Sequence, residues 1–286
     1  MTTQIDKAID FRMRHRGVGV LALPNAWDVA SARVLEEVGF SAIATTSAGI
    51  AFSLGYPDGQ RISREEMMAR IGRIARAVKV PVTADIEWGY GSTAEEIART
   101  TRAVIEAGAV GMNLEDTSGR ADQPLLPLDH VLEKIKVVRE TAAALRVPLV
   151  LNARTDVYLL EGGNPDADYA ETVRRLVAFR DAGADCVFAP GLKDAETIGL
   201  LVKDVACPVN ILAVPGTPSI AELEKLGVAR VSVGSGFMRA TLAALRAMAE
   251  ELKNSGTYSA LTSGIPYKEV NRILERPAPR PSPSMS

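Results

Sequence analysis

The feature that most constrains the fold of this chain is a repeated pattern, in which an amphipathic stretch ends in glycine and a short apolar run follows. It recurs in ARVLEEVGFSAIATT, TRAVIEAGAVGMNLED, LVAFRDAGADCVFAP and AELEKLGVARVSV. Glycine often ends a helix because it adopts left-handed backbone conformations without strain. Strands that are apolar on both faces are typical of parallel sheets covered by helices. The pattern therefore predicts alternating helices and parallel strands.

Eight apolar runs fit such strands, and helical patterns lie between them. The runs are residues 18–24, 41–46, 80–85, 110–115, 147–153, 186–190, 208–213 and 230–234. The helical patterns are at about residues 27–39, 63–78, 93–107, 128–145, 167–182, 193–204, 218–226 and 237–254. Eight such units favour an α/β fold, a closed (β/α)8 TIM barrel. A doubly wound open sheet is the alternative, but LALPNAWD lacks its glycine-rich phosphate-binding signature.

The domain organisation follows from composition along the 286 residues. No Pro-rich or Gly/Ser-rich linker interrupts residues 1–255, so we predict one catalytic barrel there. Residues 256–275 predict a C-terminal helical extension. The Pro/Ser-rich residues 276–286 predict a flexible tail.

Charge and composition exclude several function classes. The formal net charge of −2 argues against nucleic-acid or membrane-surface binding through bulk charge. No run approaches the roughly 20 apolar residues that span a bilayer, and the N-terminus has no signal-peptide core. Cys186 and Cys207 lie in apolar runs, so we expect reduced, buried thiols in a cytoplasmic protein. The 2 histidines argue against histidine-rich metal sites.

Acidic residues follow two neighbouring predicted strands at the end where such barrels place their chemistry. Asp85 and Glu87 are two residues apart and point the same way on a strand, while Glu115 and Asp116 end the next strand. Several carboxylates around one cavity resist ionisation unless a cation lies between them. Without His or Cys, this set favours Mg²⁺ or Mn²⁺. The alternative for Glu115 and Asp116 is a solvated loop pair.

Arg154 ends the following strand and favours an anionic substrate, since its planar fork recognises carboxylate or phosphate. Alternatively, Arg154 only bridges Glu115 or Asp156. Asp85 could be a helix N-cap, although Ser92 is the better cap for the following helix.

Further polar residues lie at other strand ends. The candidates are Thr45, Thr46, Ser47, Asp58 and Asn210. The hydroxyls could instead bond only to backbone, and the acid of the GYPD segment could be an ordinary turn residue.

Four ordered motifs, SLGYPD, ADIEWGYG, GMNLED and NARTD, resemble the isocitrate lyase/phosphoenolpyruvate mutase superfamily. The resemblance runs from LPNAWD to GSGFMRA. It implies a (β/α)8 barrel that binds Mg²⁺ and a small 2-oxo acid or enol phosphate. The reactions of this superfamily break C–C or P–C bonds through enolate-like species.

The resemblance also implies residue roles. Asp85 matches the direct metal ligand, while Glu87, in place of the usual Asp, and Glu115 hold metal-bound water. The predicted catalytic residues are Arg154, Asp58 and Glu115. The predicted substrate-binding residues are Thr45, Thr46, Ser47, Arg154 and Asn210.

Two loops depart from the lyase pattern. TSGRADQPLLPLDH lacks the acid/base cysteine and the histidine of isocitrate lyases, and FAPGL lacks their glutamate. We therefore expect a Mg²⁺-dependent lyase-type enzyme that cleaves or decarboxylates a 2-oxo acid, such as an oxaloacetate-like dicarboxylate. The alternatives are a phosphonomutase-like P–C isomerase and a barrel that binds a 2-oxo acid without turnover. The loops at 117–127 and 189–194 leave the exact substrate open.

The last helix bears on assembly. In the superfamily that the motifs resemble, this helix packs on a neighbouring barrel, which implies a helix-swapped homodimer or homotetramer. The alternative is a helix that closes its own barrel.

Overall fold

The computed structural model describes residues 3–17, 19–160 and 165–275. The chain divides into two compact units, Met1–Thr241 and Leu242–Ser286. The first unit contains every strand of the described residues, and the second contains helical segments alone.

The strands of the first unit form one sheet in which all neighbours are parallel. They are β1 Leu21–Leu23, β2 Asn25–Ala26, β3 Ile43–Thr45, β4 Val82–Asp85, β5 Gly111–Glu115, β6 Val150–Arg154, β7 Cys186–Phe188, β8 Val209–Leu212 and β9 Arg230–Ser232. The order is β1-β9-β8-β7-β6-β5-β4-β3-β2. Since β1 and β2 are consecutive in the chain, the sheet closes on itself and the predicted barrel is confirmed.

The described residues form nine strands where eight runs were predicted, because the short β2 lies beyond the end of the first run, residues 18–24. Pro24 separates β1, which pairs with β9, from β2, which pairs with β3. Proline has no N–H to donate to a neighbouring strand. The segment that contains β1 and β2 thereby connects β9 to β3 and closes the barrel.

Helices alternate with these strands as predicted, with two additions. They are α1 Gln4–Arg14, α2 Val29–Val38, α3 Ser47–Ser53, α4 Arg64–Ala77, α5 Ala94–Glu106, α6 Leu128–Ala144, α7 Pro165–Asp181, α8 Ala195–Val205, α9 Ile220–Lys225, α10 Gly236–Ser255 and α11 Tyr267–Leu274. Short 3₁₀ helices span Val157–Leu159 and Ser259–Ser263. The sequence patterns did not predict α1 and α3.

The cap of α5 differs from the prediction. Thr93, not Ser92, is the N-cap, because its side chain accepts from the Glu96 N–H while the Glu96 carboxylate accepts from the Thr93 N–H. This reciprocal pair is a capping box. Asp85 has no part in capping this helix.

Helix α1 packs at the opening of the barrel where β5 and β6 begin. A Cβ on Gly111 would lie only 2.9 Å from the Phe11 ring and 2.8 Å from Thr83 Oγ1, so only glycine fits there. Arg12 of α1 donates to the Leu149 carbonyl, with an N–O distance of 3.2 Å. The N-terminal residues of the chain therefore form part of the barrel core.

In the second unit, Glu251 of α10 forms hydrogen bonds with the segment that follows this helix. Glu251 accepts hydrogen bonds from the Thr257 hydroxyl, at 2.7 Å, and from the backbone N–H groups of Ser259 and Ala260. The exposed large apolar residues of the second unit are Leu242, Leu245, Leu252, Tyr258, Leu261, Ile265, Tyr267, Val270 and Leu274. The predicted tail, residues 276–286, lies outside the described residues, and the predicted boundaries at 255 and 275 stay predictions.

Two further expectations bear on the environment of the protein. Among the described residues, no helix combines the length and the apolar character needed to cross a membrane. Cys186 is buried and unpaired as expected, whereas Cys207 is unpaired but only half-buried. A cytoplasmic location stays a prediction.

Candidate active site

The candidate site forms where β3 to β6 end. Asp85 at the end of β4 is joined to the neighbouring β3 segment by three hydrogen bonds. Its N–H donates to Thr45 Oγ1 at 2.9 Å, and its Oδ2 accepts from the Ser47 N–H at 3.0 Å and from Ser47 Oγ at 2.8 Å. Asp85 Oδ1 has one long contact, 3.5 Å from Asn113 Nδ2. The carboxylate is thus held through one oxygen, and the other remains available for a ligand.

The three hydroxyl residues after β3 have structural partners. Thr46 caps α3 by accepting from the Gly49 N–H at 3.2 Å, while Thr45 and Ser47 bond to Asp85. The Ser47 N–H, expected to cradle a substrate carboxylate, binds the Asp85 carboxylate here. Their roles in substrate binding stay predictions.

Acidic side chains concentrate beside Asp85. Burial, together with the charges of Asp58 and Asp85, raises the pKa of Glu87 to about 8. Desolvation by the surrounding protein and the Asp85 charge also raise the pKa of Asp58, although much of this residue is exposed to solvent. These carboxylates repel one another, so a cation among them would relieve the repulsion.

The loops that carry these acids hold strained backbone. Glu87, Tyr90 and Gln60 all have positive φ angles, of 55°, 56° and 51°. The Gln60 N–H donates to Glu87 Oε2 at 2.6 Å, so the two strained loops are bonded to each other. Such conformations cost on the order of 1–3 kcal/mol each and cluster at active sites. Here they fix the loop of Asp58 against the end of β4.

Arg154 at the end of β6 is clamped between two acids. Its Nη1 lies 2.8 Å from Glu115 Oε2, and its Nε and Nη2 donate to the two oxygens of Asp156. Burial alone would lower the pKa of Arg154, but the charges of Glu115 and Asp156 raise it, so the side chain stays protonated. Burial raises the pKa of Glu115 against the opposing effect of Arg154.

Arg154 therefore bridges Glu115 and Asp156, as the alternative interpretation of the sequence expected. Its side chain is nevertheless partly exposed. It is 20% exposed, so the side chain is not fully enclosed by its two acidic partners. Its guanidinium carbon lies 5.8 Å from the centroid of the Phe188 ring, which ends β7. A cation on an aromatic face is stabilised there.

Asp116 is a structural residue rather than part of a solvated pair. It is fully buried and accepts from Thr155 Oγ1 at 2.6 Å, from the Asp156 N–H at 2.9 Å and from Arg175 Nη1 at 3.1 Å. Glu115 is buried as well. The solvated alternative for both acids is wrong. Asp116 holds the backbone that carries the Arg154 clamp.

The loop after β5, expected to select the substrate, is closed at its base. Thr117 pairs with Leu125 in an isolated antiparallel bridge, and the Leu126 carbonyl accepts from Arg175 Nη1 at 3.1 Å. Its tip is exposed and carries the ion pair Arg120–Asp122, with an N–O distance of 2.6 Å.

Asn210 of β8 is fully buried. Its amide nitrogen donates to Ser232 Oγ of β9 at 3.1 Å. The predicted contact between Asn210 and a second substrate carboxylate stays a prediction.

Carboxylate oxygens are the ligands that Mg²⁺ prefers, and Mg²⁺ binds one or two of them directly while retaining several waters. Within the described part of the chain, no three His, Cys, Asp or Glu side chains are grouped so that together they could hold a metal ion. An open site that uses the available Asp85 oxygen directly, with Glu87 and Glu115 further out, fits both facts. The donor set is thus compatible with Mg²⁺ or Mn²⁺.

Sequence reasoning assigned no role to two residues of this region. Asn113 precedes Glu115 by two positions on β5, so strand periodicity could have placed it on the same face. Phe188 ends β7 opposite Arg154 in the register of the sheet. Only the pairing of the two strands, which the sequence does not state, brings them together.

Comparison with known proteins shows the family of the chain. A family model described as phosphoenolpyruvate phosphomutase matches residues 11–253. The chain belongs to this family. The superfamily resemblance drawn from the four motifs is therefore confirmed, and members of the superfamily are lyases or mutases.

Three similar proteins of this superfamily illustrate its range. An uncharacterized protein of Mycobacterium tuberculosis (strain ATCC 25618 / H37Rv) is 38% identical over 263 residues, which cover 92% of this chain and 94% of that protein. Oxaloacetate decarboxylase 2 of Pseudomonas fluorescens is 26% identical, covering 82% and 79% of the two chains. A crystal structure of a Burkholderia cenocepacia J2315 protein, provisionally described as a lyase/mutase, is 41% identical with a TM-score of 0.90 and covers 96% and 97%.

Proposed function

We propose that this protein is a Mg²⁺-dependent lyase that cleaves or decarboxylates a small 2-oxo acid, with an oxaloacetate-like dicarboxylate as the substrate class. The observation that carries this proposal is the protonated, partly exposed Arg154 at the end of β6, next to the acids of β4 and β5. A cationic fork beside an acidic cluster suits an anionic substrate held together with a divalent cation.

Each residue of the candidate site has a distinct role in this proposal. Asp85 offers its Oδ1, whose contact with Asn113 is long at 3.5 Å, and Glu87 and Glu115 add negative charge around it. Bound Mg²⁺ would supply Lewis-acid polarisation of the 2-oxo group. Arg154 would bind the substrate carboxylate and stabilise the negative charge that develops on the enolate oxygen. The Phe188 ring and the two hydrogen bonds to the Asp156 carboxylate keep the guanidinium in place for this contact.

The loop after β5 favours decarboxylation over the reaction of isocitrate lyases. It has no cysteine, and its exposed tip carries an Arg–Asp pair. Loss of CO₂ leaves an enolate that water can protonate, so no side-chain acid is needed on this loop. The similarity to an oxaloacetate decarboxylase is compatible with decarboxylation, and the similarity to 2-methylisocitrate lyases is compatible with C–C cleavage.

A phosphonomutase-like P–C isomerase is the second candidate, because the matching family model is described as a phosphoenolpyruvate phosphomutase. In that reaction the same Arg154 and acids would hold an enol phosphate. A site that binds a 2-oxo acid without turnover is the third possibility.

A substrate panel with Mg²⁺, followed by NMR, tests the proposal. Proton and carbon spectra detect pyruvate and CO₂ from 2-oxo dicarboxylates, and phosphorus spectra detect a new P–C bond from phosphoenolpyruvate. We expect product from a 2-oxo dicarboxylate and no phosphorus change. A phosphonate signal would support the isomerase, and ligand-induced shifts without any product would support a binding protein.

We also propose that the chain assembles into a homodimer or homotetramer through its second unit. Nine large apolar side chains there, from Leu242 to Leu274, are exposed. Exposed apolar residues at this density are typical of a protein interface. A second copy of the chain is the proposed occupant, as the superfamily resemblance implies.

A further inference from the structure

The barrel interior below the candidate site contains a buried arginine that the proposed reaction does not use. Arg230 of β9 is fully buried. In the closed order of strands, β9 lies across the barrel from β5, and Arg230 Nη2 reaches across to Asn113 Oδ1 at 3.3 Å. Among the described residues, its Nε and Nη1 have no hydrogen-bond partner. A buried cation with one protein hydrogen bond is costly, so its presence calls for a reason.

Arg230 remains charged in the barrel interior. Burial lowers its pKa to about 10, so it remains protonated at neutral pH. The acidic groups whose charges act on it are the Cys186 thiol and Asp85. Burial raises the pKa of Cys186 to about 12 and lowers that of His15, also near Arg230, to about 4, so both are neutral. Of the two acids that affect the pKa of Arg230, Asp85 is the one in the candidate site.

The side-chain amide of Asn113 connects Arg230 to Asp85. Asn113 Oδ1 accepts from Arg230 Nη2 at 3.3 Å and from Asn152 Nδ2 at 2.8 Å. Two donors on the same side fix the orientation of the amide, so its Nδ2 must face Asp85 Oδ1, at 3.5 Å. The reversed amide would set its oxygen against the Asp85 carboxylate and its NH₂ group against two donors.

We propose that Arg230 is a positioning residue, which orients the Asp85 carboxylate for the divalent cation through the amide of Asn113. Ser47 holds Asp85 Oδ2, and the Arg230–Asn113 pair sets the direction of Oδ1 from below. This inference rests on the proposed function, because it assigns Asp85 to the metal. Groups that orient a metal ligand typically change metal affinity about 10- to 100-fold when they are removed.

Calorimetric titration of Mg²⁺ into the metal-free protein separates positioning from simple charge. The variant Arg230→Met removes both the charge and the donors while retaining an unbranched apolar side chain. Charge removal alone would tighten Mg²⁺ binding, since a nearby guanidinium repels the cation. Loss of positioning weakens binding instead, and we expect about a tenfold rise in the Mg²⁺ dissociation constant. Tighter or unchanged binding by a folded Arg230→Met protein would overturn the proposal.

Two further variants keep the test decisive. Arg230→Lys retains the charge but not the reach of the fork, so its affinity should fall as in Arg230→Met. Wild-type affinity in Arg230→Lys would show that only the charge matters. Thr83→Val is the matched control, because Thr83 is buried on the same strand as Asp85 and its hydroxyl has no partner among the described residues. This variant should bind Mg²⁺ like the wild type.

A double-mutant cycle tests the route through the amide. Asn113→Ala should weaken Mg²⁺ binding, and adding Arg230→Met should weaken it little further, because both changes remove the same contact. Fully additive losses would contradict the connection. If the wild-type protein binds no Mg²⁺ at all, the proposed function fails together with this inference. If the wild type binds and the Arg230 variants bind equally well, only this inference fails.

Discussion

Replacement of Arg154 by lysine tests the role of the cationic fork. The guanidinium makes three contacts, one with Glu115 at 2.8 Å and two with the carboxylate of Asp156. Lysine retains the positive charge but has a single ammonium group, so it cannot hold Asp156 with a fork and still present a donor to substrate. We expect the loss of one charge-assisted hydrogen bond in the transition state, about 1.5–3 kcal/mol.

That free energy corresponds to a fall in kcat/KM of roughly 10- to 150-fold. Steady-state kinetics on the substrate that the NMR panel identifies provide the measurement. Arg139→Lys is the matched control, since Arg139 binds Asp185 at 2.9 Å and the Leu149 carbonyl at 3.0 Å, near the starts of β7 and β6. The control should lose stability but keep its activity. Wild-type kinetics in Arg154→Lys, or equal losses in both variants, would refute the reasoning.

Three other outcomes follow from the structure. The pKa of Glu87, raised from 4.5 to about 8, means that the metal-free folded protein holds a proton that the unfolded chain has released, so the free energy of unfolding should fall as pH rises from about 5 to 8. Thermal unfolding should show this fall and Glu87→Gln should flatten it; an equal slope in both would contradict the assignment. Deleting residues 256–286 should lower the number of chains per particle measured by light scattering, whereas deleting residues 276–286 should not. A fully active 30.5 kDa monomer of the intact chain would remove the assembly proposal. Glu251→Ala should speed amide hydrogen exchange at Ser259 and Ala260, and unchanged protection would show that the turn holds without this carboxylate.

The alternation of helices and strands was predictable because it is written in local sequence. Glycine at the end of α2 has φ 103°, the left-handed conformation that the repeated pattern implied. Helix α3 was not predictable in the same way. The residues of SAGIAFS are mostly small or apolar and show no helical pattern, and the start of the helix depends on the Thr46 cap. Helix α1 carried an unused signal, the Thr3 and Asp6 capping box.

The candidate site was predictable where its residues belong to motifs at the ends of strands. The acids and Arg154 follow β4, β5 and β6, and their position in the barrel follows from topology. The partners of these residues were less accessible. Arg230 and Asn113 are 117 positions apart, and their contact depends on the barrel being closed. Sequence patterns on one strand cannot show which side chains meet across its interior.

Titration calorimetry of Mg²⁺ into metal-free wild-type and Asp85→Ala proteins tests the central claim most directly. The account predicts binding to the wild type and no measurable binding to Asp85→Ala, with both proteins folded by circular dichroism. Asp122→Ala, which changes an exposed acid of the loop after β5, is the control and should bind like the wild type. Equal Mg²⁺ affinity in wild-type and Asp85→Ala proteins would contradict the account.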